Sequence, residues 1–150
     1  MKKIYFLLMI IMMLGLCGCE NKNNSHIYSG ANIGYYGNEE GSAIIKDETE
    51  YRDYLELIDV ENCQEDFKKK MLSYDADFFK EKMLIVIYHW ENTGSSKLSV
   101  DEVNYSESAI QVVLKRKVPK VVDNVMKSHI ILLEETKSDS YTTVECMMKE

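Results

Sequence analysis

The chain has 150 residues, 18 Lys and Arg against 25 Asp and Glu, a formal charge of −7 and 45% hydrophobic residues. That length suits one domain with a real core. The acidic balance repels nucleic-acid phosphates and anionic head groups, so neither is an expected partner, and the basic clusters Lys68-Lys69-Lys70 and Lys115-Arg116-Lys117 read as solvated faces.

The N-terminus begins Met1-Lys2-Lys3, continues as an apolar run from Ile4 to Leu16 and ends in Leu16-Cys17-Gly18-Cys19. The run has signal-peptide length and falls short of the ~20 residues that span a bilayer. With its basic flank and the small residue before Cys19, it resembles a bacterial lipoprotein signal peptide cleaved after Gly18. Cys17 follows the bulky Leu16 and fits poorly as the modified residue. The expected organisation is a signal peptide over 1–18, a lipidated Cys19 with a flexible spacer over 19–26, and one domain over 27–150. Two acyl chains on Cys19 give stable attachment where one holds only marginally. The expected location is therefore the cell membrane, reached through a diacylglyceryl anchor and facing outside the cytoplasm. Without Lys2 and Lys3 the mature balance is 16 against 25, or −9.

The polar run Glu20 to Ser25 reads as a spacer. Ragged strands are expected around Ile27-Tyr28 and Ile33 to Tyr36, and a better one over Ser42 to Lys46. Asp47, with Glu50 three residues on, has the spacing of a capping box. Tyr51, Tyr54, Leu55 and Ile58 then form one helical stripe. A second helix is expected within Glu65 to Leu72, with Phe67, Met71 and Leu72 on one face. A further helical turn is expected over Asp75 to Lys80, capped by Asp75.

From Met83 to Tyr88 the apolar run is continuous, as in a central strand covered on both faces. Lys97 to Tyr105 alternates only approximately, which predicts a bulge. Ile110, Val112 and Leu114 alternate cleanly until Pro119, which cannot donate to a ladder. Ser128 to Lys137, a Ser138-Asp139-Ser140 turn and Tyr141 to Met148 read as a terminal hairpin. The expected fold class is α+β, with two or three short N-terminal helices packed on a curved antiparallel sheet of about five strands.

Cys63 and Cys146 remain after processing, and in an oxidising compartment they are a candidate disulfide; two separate thiols fit the sequence equally well. His89 and His129 fall in predicted strands and, with Glu91, form the one zinc set worth weighing, but ordinary strand histidines explain them better. The chain has no Gly-x-Ser-x-Gly elbow, no His-Glu-x-x-His pair and no phosphate-cradling glycine loop. No catalytic residue, cofactor or metal ligand is therefore expected. The candidate binding loop is Asn92-Thr93-Gly94-Ser95-Ser96 with Trp90, the only tryptophan. Gly94 offers a positive-φ turn position and Trp90 an aromatic anchor, although the chemistry of an ordinary hairpin turn alone accounts for Gly94.

The segment Tyr74 to Val86 resembles lipoproteins of the PrcB C-terminal type, named for an accessory lipoprotein of a surface protease complex. Phe78-Phe79, Leu84 to Tyr88, Thr93-Gly94, Pro119 and Ile130 to Lys137 follow that family's order over roughly residues 42 to 137. Ser95-Ser96 stands in place of a Gly-Tyr pair, and a further strand follows Lys137. The resemblance implies a small lipid-anchored domain with an accessory role and carries over no catalytic residue. The expected function is a binding or accessory protein acting by contact with an envelope protein or protease. The alternatives are a protease inhibitor presenting Asn92 to Ser96, and a small hydrolase or metal-binding protein.

Overall fold

A computed structural model describes residues 24–30, 41–58, 60–121 and 125–149. Cys19, the signal peptide and the strand expected at Ile33 to Tyr36 lie outside them. Strand β1 (Ser25–Gly30) and β2 (Gly41–Ile45) precede three short helices: α1 (Glu48–Leu55), α2 (Glu65–Met71) and α3 (Phe78–Glu81). A 3-10 turn at Val60–Asn62 separates α1 from α2. Five strands follow: β3 (Lys82–Glu91), β4 (Lys97–Tyr105), β5 (Ala109–Lys117), β6 (Lys127–Thr136) and β7 (Thr143–Lys149). The class is α+β, with more strands than expected and two of them ahead of the helices. Ser25 and His26, expected in the spacer, already pair with Leu133 and Leu132.

The strands form two sheets. The larger has the order β1-β6-β3-β2 and is antiparallel throughout; the smaller has the order β4-β5-β7. The apolar run of β3 has the cause its sequence suggests. Leu84, Val86 and Tyr88 face the helical layer, where Tyr51, Tyr54, Phe67, Met71 and Phe79 cover them. Met83, Ile85 and Ile87 face the smaller sheet, against Val103, Ile110, Val112 and Leu114. The molecule is thus a three-layer stack in which β3 and β6 are buried on both faces.

Local signals set the helices. The Asp47 carboxylate accepts from the backbone N–H groups of Thr49 and Glu50 at 2.8 and 2.9 Å. Glu50 reaches back to the N–H of Lys46 at 2.7 Å, one residue before the usual partner in a capping box. Asp75 accepts from Phe78 N–H at 2.9 Å. Leu72 departs from expectation: α2 ends at Met71, so Leu72 leaves the helical period and is 65% exposed.

The expected terminal hairpin is not formed. Both edges of β6 are already taken, by β1 and β3, so β7 has no place beside it. The chain crosses instead to the smaller sheet, where Thr142 N–H donates to Ser108 O at 2.8 Å and β7 runs parallel to β5. The irregularity in β4 is a register shift between Val100 and Glu102.

Candidate functional site

Strand direction brings several connections to one end of the stack. β1 finishes there at Gly30, opposite Ser128, and β2 starts there at Gly41, opposite Tyr88. β3 ends opposite Lys127, while Lys97 and Lys117 pair where β4 begins and β5 stops. The turn at 92–96 and the connection between β5 and β6 therefore both leave from this end.

The 92–96 turn is tied down rather than projecting. Ser96 N–H and Ser96 Oγ both donate to Thr93 O, at 3.2 and 2.9 Å, and Ser96 is buried. Lys127 Nζ donates to Gly94 O at 3.2 Å, and Thr93, Gly94 and Ser95 are half-buried. Among the described residues no glycine has a positive φ, so Gly94 does not use the freedom its type allows. Asn92 is exposed.

Trp90 is the exposed member of the pair it makes with Tyr88. Their rings meet nearly perpendicular at 5.7 Å, with Tyr88 buried and Trp90 40% exposed. Such edge-to-face packing fixes an aromatic without covering its outer face. The sequence reading missed the neighbouring connection, where Val118, Val121, Val125 and Met126 are all exposed. Their signal was an apolar stretch running past Pro119, where the strand has to stop. A cleft of about 210 Å³ opens beside it, lined by Ser95, Lys97, Lys117 and Pro119.

Charge is also uneven here. Among the described residues this end carries Lys97, Arg116, Lys117, Lys120 and Lys127, whereas its carboxylate, Glu91, is buried and ion-paired to Arg116 at 3.5 Å. The described residues of this end are thus basic and partly apolar.

Beneath this surface His89 and His129 stand directly opposite each other on β3 and β6. His89 Nε2 lies 3.2 Å from Glu91 Oε1, and His129 Nδ1 lies 2.7 Å from Ser29 Oγ. Burial, with Lys127 and His89 acting in the same direction and Glu91 opposing, brings the His129 pKa down to about 4, so the imidazole is neutral at pH 7. His89, His129 and Glu91 do not assemble as a metal site, and no group of three His, Cys, Asp or Glu does so among the described residues.

Cys63 and Cys146 form no disulfide. Cys63 is buried with the helical layer, and Cys146 is exposed on β7. No helix among the described residues is long and apolar enough to cross a membrane. Comparisons of the chain with protein-family models, curated proteins and solved structures find no match.

Proposed function

We propose that this chain is a lipid-anchored accessory protein that acts outside the cytoplasm by binding an acidic face of an envelope protein at its loop end. The observation that carries the reading is the concentration at that end of Trp90, Val118, Val121, Val125 and Met126 together with Lys97, Lys117, Lys120 and Lys127. Exposed apolar groups rimmed by charge mark interaction surfaces, and a rigid tryptophan is a typical anchor for one. The basic rim selects an acidic partner and speeds encounter with it.

The direction of β1 supports a protein partner over a lipid one. β1 runs from Ser25, beside Leu133, toward Gly30, beside Ser128. A chain anchored at Cys19 therefore enters at the end opposite Trp90. The six residues from 20 to 25 reach at most ~20 Å, so the anchor favours an orientation with the loop end pointing away from its own membrane. The PrcB-like order of residues is consistent with such an accessory role, with a surface protease among the candidate partners. The inhibitor alternative has less support, because the turn it would present is half-buried and held by Lys127.

The test is a pull-down from envelope extract with wild type, Trp90→Ala and Leu72→Ala, the last removing an exposed apolar side chain from α2. Trp90→Ala should weaken capture at least tenfold, as expected for an anchor worth over ~1.4 kcal/mol, while Leu72→Ala keeps it. Equal capture by wild type and Trp90→Ala would remove the loop end from consideration.

A further inference from the structure

A second cleft, of about 270 Å³, opens between the β2 edge of the larger sheet and β7; Ser42, Ile87, His89, Cys146 and Met148 are among its walls. β2 begins at Gly41, opposite Tyr88. β7 approaches its edge from the other sheet, and Ser42 Oγ donates to Val144 O at 3.1 Å where the two edges meet. Cys146 and Met148, two residues apart on β7, stand beside Val112 and Leu114 of β5.

The cleft gathers an imidazole, a thiol and a thioether. The imidazole is also oriented, since His89 Nε2 meets Glu91 Oε1 at 3.2 Å and Glu91 is held by Arg116 at 3.5 Å. A carboxylate on one ring nitrogen fixes the orientation of the ring, the usual outer-shell support of a ligating histidine. Thiolate and thioether together are soft ligands, which suit copper(I) and not calcium or magnesium. Structural zinc sites hold the ion with four Cys, His or carboxylate ligands, whereas among the described residues two of those types, His89 and Cys146, line this cleft.

We propose that His89, Cys146 and Met148 form a binding site for a soft monovalent cation, copper(I) above all, with silver(I) as its redox-inert stand-in. Binding replaces the S–H proton: the thiol releases H⁺ to solvent as the sulfur–copper bond forms, and no electron is transferred. Cys146 is exposed and Met148 only partly covered, so the ion can enter and leave. Such access suits capture or hand-over of an ion more than a permanent structural role. This inference does not depend on the protein-binding reading of the loop end.

The experiment uses full-length protein purified in detergent, reduced and titrated anaerobically with copper(I) against a chromophoric copper(I) chelator. Wild type should retain one more copper(I) per chain than Cys146→Ser. Met148→Leu and His89→Gln should each weaken binding at least tenfold. Copper(I) should also slow maleimide labelling of Cys146 at least tenfold in wild type, a mass-spectrometric readout that needs no variant. The proposal is overturned if Cys146→Ser retains as much copper(I) as wild type, if Met148→Leu and His89→Gln bind as tightly as wild type, or if Cys146 labels at an unchanged rate.

Discussion

Ser29 and His129 stand opposite each other on β1 and β6, and Ser29 Oγ meets His129 Nδ1 at 2.7 Å. His129 is wholly buried, and its Nε2 makes no hydrogen bond among the described residues. One ring nitrogen is thus engaged, and the other sits in a site that disfavours the proton a charged ring would put there.

This arrangement predicts an acid-sensitive fold. Burial first, then Lys127, lowers the His129 pKa from 6.5 to about 4. The unfolded chain therefore binds more protons between those values. The stabilisation is complete above pH ~7, falls as pH drops through 6.5 and is gone below 4, amounting to about 3 kcal/mol over the window. Urea unfolding at pH 7 and pH 5 should differ by about 2 kcal/mol, and His129→Gln should flatten that slope. An NMR titration placing the ring near its ordinary pKa would contradict the account.

Glu134 organises the opposite end. It is ion-paired to Lys70 and, at 3.3 Å, to Lys82, and it accepts a hydrogen bond from Tyr74 OH at 3.2 Å. Burial pushes its pKa up, but the two lysines outweigh this and hold it below the usual range. Its contribution is present above pH ~4.5 and lost as pH falls below that, on the acid side of the His129 window. Glu134→Ala should cost about 1–3 kcal/mol in urea unfolding at pH 7 with an unchanged m-value. Glu61→Ala removes an exposed partner of Lys68 and should leave the midpoint where it was. Equal effects would show that burial of the Glu134 network is not what matters.

Asp47 should behave as a cap and little else. Its carboxylate satisfies two N–H groups at the start of α1, so Asp47→Ala should cost about 1 kcal/mol and Asp47→Asn much less. A loss of similar size in both variants would point to charge rather than to the cap.

The anchor gives a prediction of its own. Cys19 lies outside the described residues, and its acylation is proposed from the sequence. If the proposed pair of acyl chains is what holds the protein, Cys19→Ser should move it from the membrane fraction to the soluble extracytoplasmic fraction. An unchanged distribution would count against acylation at that residue.

Much of the fold was legible where the cause is local. The continuous run from Met83 to Tyr88 announced a strand buried on both faces, the uneven alternation in Lys97 to Tyr105 announced its bulge, and Asp47 announced α1. What was not legible depends on distant choices. β7 leaves β6 because β1 occupies the edge it would need, and β1 lies about a hundred residues earlier in the chain. Cys63 and Cys146 are separated by the same topology, one with the helices and one on β7. At the candidate site, Trp90 could be picked out by type. The apolar connection at 118–126 and the basic rim could not, because neither has meaning until the strands bring it to the same end.

The central claim is that the Trp90 end is the contact surface, and position-specific photo-crosslinking in intact cells tests it most directly. A photoreactive aromatic residue would replace Trp90 in one variant and Leu72, on α2, in another. The account predicts one discrete crosslinked envelope protein from position 90, competed by untagged wild-type chain, and none from position 72. The same adduct at equal yield from both positions, or none from position 90, would contradict it.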